Sequence, residues 1–443
     1  MKNLKKVDPQ IFDLIVKEKK RQEETLMMIP SENIASKAVE EAVGSCLGNK
    51  YAEGYPFRRY YQGQEFVDQI ETLTIERAKK AFGVPFANVQ PYSGSPANTA
   101  VYFALIKPGD TIMGLSLAQG GHLTHGASVS LSGTYFHSVS YGLDKDGIID
   151  YDAVEKMALT EKPKIIVAGV TAYPPQVDWK RFAEIADKVG AYLLADISHF
   201  SGLIVAGAYP SPVPYVHIIM TTTHKTLRGP RGAMIMVTDK GMKKDPIIDK
   251  KINKAVFPGL QGGPHINNIA GIAVALKETS SAKYKKYAQQ IMKNAKILAQ
   301  TLKEHGFNLI SGGTASHLIL VDLSNKGIIG NLAAEALEAA NIVLNRNAVP
   351  FDIQPPFYPS GIRMGTPGIT SRGMKELEMK KIGLWINEVI KDVGRIKKEM
   401  KIEFEQEKKA ATRKEIISQS KKIKEVKKQV LALCKKFPIK KQY

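Results

Sequence analysis

The chain has 443 residues but only two cysteines, Cys46 and Cys434, far apart and without metal-ligand spacing. That scarcity excludes a disulfide framework and a cysteine zinc site, and it points to a reducing compartment, the cytoplasm. Long apolar runs are missing too. None reaches the roughly 18 residues a membrane span requires, so no membrane contact is expected. The stretch from Met1 to Lys20 is charged and amphipathic. It lacks the apolar centre and small-residue cleavage site of a signal peptide. Internal repeats and low-complexity linkers are absent. So is any RNA-recognition signature with interleaved aromatics, although the net charge is +20.

That charge suits a field drawing in anionic small molecules. Lysines thicken after Lys397, and pairs such as Lys421-Lys422 and Lys427-Lys428 alternate with apolar residues at helical spacing. This reads as a solvated helix face, with a polyanion-binding tail as the alternative. The length calls for two domains or three units, and an apolar fraction of 44% allows a large core.

Asp8-Pro9 reads as an N-cap with proline at the first helical position, and Ile11, Phe12, Ile15 and Val16 then form an apolar stripe. The spacing predicts a helical arm over residues 1–20. From Phe86 to Met236 short apolar runs alternate with amphipathic stretches. Strands are expected at Thr111–Gly114, Ile165–Ala168, Tyr192–Asp196, Ile218–Met220 and Ala233–Val237, and a helix at Trp179–Val189. Near-continuous apolar strands between helices argue for a buried, mainly parallel sheet. A large domain over 21–275 and a smaller α+β domain over 276–443 complete the expected plan. The second domain opens on one long helical stretch from about Ala270 to His305, and strands are expected at Leu318–Val321 and Ile362–Met364.

The chemistry concentrates in Thr221-Thr222-Thr223-His224-Lys225-Thr226, where an apolar strand runs into hydroxyls, a His-Lys pair and a Gly/Pro-rich turn. A lysine buried at a strand end is costly to keep charged, so its pKa falls, as Schiff-base chemistry requires. Asp196 ends another apolar strand, at the edge where open α/β sheets bind ligands. A carboxylate there can keep a pyridine nitrogen protonated, making the ring an electron sink. Ser93-Gly94-Ser95-Pro96 opens a helix and offers N–H groups and hydroxyls to a phosphate. Taken singly, each has a plainer reading: a surface lysine, a turn aspartate, an ordinary N-cap. Gly120-Gly121-His122-Leu123-Thr124-His125 carries two histidines without metal spacing, so no metal is expected.

Together these residues resemble a known family. Thr222 to Leu227 with Gly229-Pro230-Arg231-Gly232 is similar to the cofactor-lysine signature of serine hydroxymethyltransferases. The likeness continues in order through Ser31-Glu32-Asn33, Asn49 to Pro56, Arg59-Tyr60-Tyr61, Ala255 to Gly259, Gly312-Gly313-Thr314, Asn345 to Pro350 and Gly361 to Pro367. It implies an aspartate-aminotransferase-like α/β fold, fold type I, with a mainly parallel seven-stranded sheet. It implies pyridoxal 5'-phosphate as cofactor and tetrahydrofolate as co-substrate, the one-carbon unit passing from serine to leave glycine. Lys225 would hold the cofactor as a Schiff base, Asp196 would face the ring nitrogen, and His122 would stack on the ring. Ser93, Gly94 and Ser95 would cup the phosphate with a partner subunit's Gly263. Thr171 and His199 would touch the hydroxyl side. Thr222 would join the catalytic groups, His224 the cofactor contacts, and Arg231 would hold the lysine loop. Arg363, whose planar fork suits a carboxylate, would grip the amino acid with Ser31. Tyr51, Glu53 and Tyr61 would reach into a neighbouring subunit's site, Glu53 as acid/base. Leu117, Gly121, Leu123 and Asn347 match folate-contacting positions.

The resemblance thus implies at least a homodimer with shared sites, and leaves dimer or tetramer open. Departures from the family pattern are Gln119, Pro96, Pro174-Pro175, Ser198, Arg228 and Leu260; none removes a residue named for the chemistry. Two competing readings remain at this point: a folate-independent aldolase of β-hydroxy amino acids, and a basic RNA-binding protein that keeps the fold.

Overall fold

Period-two alternation decides where the sheet sits. The strand residues Ile166, Ala168, Leu193, Ala195, Ile219, Met234 and Met236 enter one apolar core. Their alternating neighbours Ile165, Val167, Leu194, Ile218, Met220, Ala233, Ile235 and Val237 enter another. Successive side chains point to opposite faces of a strand, so a run apolar at every position must be covered on both. The computed structural model, which describes residues 1–439, meets that demand with a seven-stranded sheet. In chain order the strands are Phe86–Asn88 (β1), Thr111–Leu115 (β2), His137–Tyr141 (β3), Ile165–Gly169 (β4), Tyr192–Asp196 (β5), Ile218–Thr222 (β6) and Ala233–Val237 (β7). Their spatial order is β1-β7-β6-β5-β4-β2-β3. The run from β6 to β3 is parallel, and β7 is antiparallel to both β6 and β1. All five strands expected in this stretch are present. The edge strands β1 and β3 were not expected.

The N-terminal residues form the helices Lys2–Val7 (α1) and Pro9–Glu24 (α2), with Asp8 Oδ1 accepting the Ile11 N–H at 3.0 Å. The apolar stripe on α2 stays in solvent: Ile11, Ile15 and Val16 keep 41–46% of their surface exposed. Gly94–Leu105 (α3) covers one face of the sheet through Ala97, Val101 and Tyr102, and Trp179–Val189 (α4) covers the other through Phe182 and Ile185. The single long helix expected near residue 270 is instead two, Ile266–Thr279 (α5) and Ala282–Glu304 (α6). The break falls at Ser280-Ser281, because the Ser281 hydroxyl accepts the Tyr284 N–H at 3.2 Å and starts a new helix as its N-cap.

A second, antiparallel sheet of Asn308–Leu309 (β8), Leu318–Asp322 (β9), Asn345–Asn347 (β10) and Gly361–Gly365 (β11) has the order β8-β9-β11-β10. Its core is separate from the first two and recruits Leu26 and Met28 from near the N-terminus. Two later helices matter below, Pro367–Ser371 (α7) and Lys421–Lys436 (α8). On α8, Ile423, Val426, Val430 and Leu433 are buried while Lys424, Lys427 and Lys428 face water, a solvated helix face. Among the described residues no helix is long and apolar enough to cross a membrane.

Candidate active site

Parallel strands β4, β5 and β6 end side by side at Gly169, Asp196 and Thr222. Asp196 is buried and receives three donors. Oδ2 accepts from His125 Nε2 at 3.0 Å and Asn98 Nδ2 at 3.1 Å, and Oδ1 accepts the Ser198 N–H at 3.1 Å. Burial alone would raise this carboxyl. The His125 hydrogen bond and the charges of His125 and Lys225 overcome it and hold the group below the usual carboxylate range. Ser198 also ties the two strand ends together, since its Oγ accepts the Thr222 N–H at 3.0 Å.

Lys225 lies three residues beyond the end of β6, its Nζ 3.2 Å from Thr222 Oγ1. Burial lowers its pKa to about 8, Asp196 opposing and Arg363 and Arg231 assisting. His122 sits beside His125, ring centroids 5.4 Å apart, and its Nδ1 accepts the Thr124 N–H. Burial, then the charge of His125, brings it down to about 4, so the ring is neutral. His199 is buried and lowered by burial and then by Lys225; its Nδ1 lies 3.3 Å from His317 Nε2. His224 is lowered to about 3 by burial, and its Nδ1 is a buried nitrogen with no hydrogen-bond partner.

Helix α3 begins directly over this crevice. A Cβ on Gly94 would lie 2.7 Å from Thr222 Cγ2, so only glycine lets the helix N-terminus approach so closely. Ser93 is the N-cap residue, yet its hydroxyl makes no capping bond. Gly121 is equally constrained: a Cβ there would meet the Leu115 carbonyl oxygen at 1.9 Å. Thr171 Oγ1 donates to the Gly121 carbonyl at 2.7 Å, which fixes the His122 turn against the end of β4. From the smaller sheet Arg363 on β11 reaches across. Its Nη1 donates to Thr171 O at 2.6 Å and its Nε to Asn345 Oδ1 at 3.1 Å, and burial lowers it to about 10. Pro30, next to Ser31, packs against Gly365, two residues from Arg363. Asn347 ends β10, while Leu117 and Leu123 flank the His122 turn half exposed.

Glu53, Tyr51, Tyr61 and Gly263 form a second group. Tyr51 and Tyr61 meet edge to face at 5.3 Å, and a Cβ on Gly263 would touch the Tyr51 ring. The charge of Glu53 raises the Tyr61 phenol. Among the described residues no hydrogen bond or ion pair joins this group to Lys225 or Asp196 of the same chain. Arg231 is exposed and acts on Lys225 through its charge. Gln119 is spent on structure, its Oε1 accepting the Leu143 N–H at 2.7 Å; Pro174 likewise gives its carbonyl to the Ala315 N–H. Sequence reading assigned no role to Asn98, His125 or His317. The one signal for Asn98 was an amide inside an otherwise apolar helical stretch.

A depressed lysine, a buried ionised aspartate and a helix N-terminus with an unspent serine hydroxyl match the aldehyde, ring nitrogen and phosphate of pyridoxal phosphate. With the mainly parallel seven-stranded sheet that brings them together, they define a pyridoxal-phosphate enzyme of fold type I. Comparison with known proteins narrows the class. Residues 4–386 match the family model described as serine hydroxymethyltransferase. The chain is 56% identical over 390 residues to the serine hydroxymethyltransferase of Desulfotalea psychrophila and 57% identical over 389 to that of Acidothermus cellulolyticus, each covering 88% of this chain and 90% of the relative. It is 51% identical over 437 residues to that of Legionella pneumophila strain Lens, covering 98% of both. The chain belongs to the serine hydroxymethyltransferase family.

Proposed function

We propose that this protein reversibly transfers the hydroxymethyl carbon of serine to tetrahydrofolate, giving glycine and 5,10-methylenetetrahydrofolate. One observation carries the reading: a lysine lowered to about 8 and an ionised, triply hydrogen-bonded aspartate share the crevice at the carboxyl ends of parallel strands. Bound pyridoxal phosphate supplies an aldehyde for the lysine and a protonated ring that accepts the electrons of the breaking bond. Lys225 offers a largely free amine above about pH 8, and Thr222 orients it. Asp196 keeps a proton on the ring nitrogen, and His122, neutral, covers one ring face. Ser93, Gly94 and Ser95 hold the phosphate at the start of α3. His199, Thr171 and His224 line the remaining edge.

Arg363 and Ser31 take the amino-acid carboxylate, which fixes the bond to be broken relative to the ring. Tyr51, Glu53, Tyr61 and Gly263 complete the site of a second copy, Glu53 moving the proton at the hydroxymethyl oxygen. Leu117, Gly121, Leu123 and Asn347 contact the folate. The exposed stripe of α2 and exposed Phe57, Tyr60 and Phe66 support a homodimer. Two unpaired cysteines support the cytoplasm. A division into an arm over 1–20 and domains over 21–275 and 276–443 follows the cores only in outline, since Tyr284, Ala288 and Ile291 pack into the large unit's core and Leu26 and Met28 into the smaller one's.

The test is conversion of serine to glycine that depends on both pyridoxal phosphate and tetrahydrofolate and is abolished in Lys225→Ala. Threonine cleavage indifferent to folate, or serine turnover by Lys225→Ala at the parent rate, would overturn the proposal.

A further inference from the structure

The Ser31-Glu32-Asn33 motif contains a residue that the chemistry above leaves without a role. The Asn33 amide is saturated. Its Nδ2 donates to the Lys225 carbonyl oxygen at 3.0 Å and to Tyr287 Oη at 2.9 Å. Its Oδ1 accepts the Ile34 N–H at 2.9 Å and the Ser371 hydroxyl at 2.7 Å. A flipped amide would set its NH2 against the Ile34 N–H and its oxygen against the Lys225 carbonyl, so the orientation is fixed. Ser371 and Tyr287 also bond each other at 2.9 Å, which closes the knot.

The rest of the lysine loop is pinned by other residues. Tyr284 Oη donates to the Thr226 carbonyl at 2.7 Å. Thr226 Oγ1 donates to the His199 carbonyl at 2.9 Å and accepts the Gly202 N–H at 3.1 Å. Among the described residues Asn33 is the one whose side chain holds the Lys225 carbonyl, which also accepts the Arg228 N–H at 3.1 Å. It lies two positions beyond Ser31, and Ser371 ends α7, the helix that follows β11 and its Arg363. The segments assigned to the substrate carboxylate therefore also grip the lysine's backbone.

We propose that Asn33, backed by Ser371 and Tyr287, is a positioning residue that aims the Lys225 amine and links it to the carboxylate-binding segments. The proposal rests on the reading of Lys225 as the cofactor-linking residue. It predicts that Asn33→Ala slows bond formation between cofactor-free protein and pyridoxal phosphate, followed by absorbance across pH, by about tenfold at the plateau, the equivalent of one hydrogen bond. Ser371→Ala should slow it less. Asn33→Asp keeps the Ile34 and Ser371 bonds, loses the bond to Lys225 O and adds a negative charge; it should slow linking and move the midpoint of the pH profile upward. Asn33→Gln should not restore the rate, because its longer arm misplaces the amide. Circular dichroism and thermal melting report folding alongside.

Parent-like rates and pH profiles in Asn33→Ala and Asn33→Asp would overturn the proposal. So would slowing that only follows the fraction unfolded. Where Asn33→Ala fails to fold, Ser371→Ala and Tyr287→Phe carry the test, and unchanged linking in both overturns it. Failure of the parent to link, or linking by Lys225→Ala at the parent rate, would instead sink the reading of Lys225.

Discussion

Replacing Asp196 by asparagine preserves the shape of the side chain and removes its charge, so it separates packing from electrostatics. The carboxylate takes two donors on Oδ2 and one on Oδ1. An amide has one oxygen. Placed toward His125 and Asn98, it leaves its NH2 facing the Ser198 N–H; reversed, it faces two donors instead of one. The better orientation forfeits one charged hydrogen bond, on the order of 1.5–3 kcal/mol. A second effect falls on Lys225. Asp196 favours the charged amine, so its removal should move the lysine below about 8. A third is pH-dependent. A carboxyl held below its ordinary value contributes stability that is fully present above about pH 4 and is lost as pH falls through the lowered folded value. Asp196→Asn should lack that acid-range slope. Serine turnover should fall by about 10²-fold, because nothing negative faces the ring nitrogen. Urea unfolding at neutral and acid pH, and the pH profile of cofactor linking, measure these effects. A linking midpoint that stays put or rises, together with unaltered acid unfolding, would refute the reasoning.

Other outcomes are open to measurement. In the parent protein, linking of pyridoxal phosphate should rise with pH through about 8 and then level off, because only the neutral amine attacks; a stopped-flow absorbance series showing a midpoint near 10.5, the ordinary lysine value, would contradict the burial argument. Arg363→Lys should raise KM for serine by about tenfold or more while kcat falls less, since an ammonium cannot hold Thr171 O and Asn345 and still offer a fork; steady-state kinetics decide. Gly121→Ala should destabilise the protein by about 1–3 kcal/mol in urea unfolding, because its Cβ would collide with a backbone carbonyl that cannot swing aside. Ile15→Asp should weaken self-association in sedimentation and leave the monomer's circular dichroism unchanged, since Ile15 packs against no core of its own chain.

Much of the large sheet was legible because β4, β6 and β7 are buried at every position, so β4 and β7 read as unbroken apolar runs and β6 as one up to Met220. Strand β3, His-Ser-Val-Ser-Tyr, was not, because an edge strand is covered less and keeps polar residues. The three-residue β1 is too short to show a period. In the site, Lys225 and Asp196 stood out because each is a charge at the end of an apolar strand. The clasp around Asp196 did not, since Asn98 and His125 lie 98 and 71 positions away in the chain and only folding brings them to it. Asn33 was visible as part of a motif, but its hold on a carbonyl 192 residues distant was not.

The 2.6 Å bond from Arg363 to the Thr171 carbonyl is a hand laid across a seam. On one side stand the groups that would break a bond; on the other, carried by a sheet with its own core, stands the group that would anchor the amino acid by its carboxylate. A slide of β11 along that seam would therefore shift the anchor against the lysine and its aspartate, and with it the bond the substrate presents.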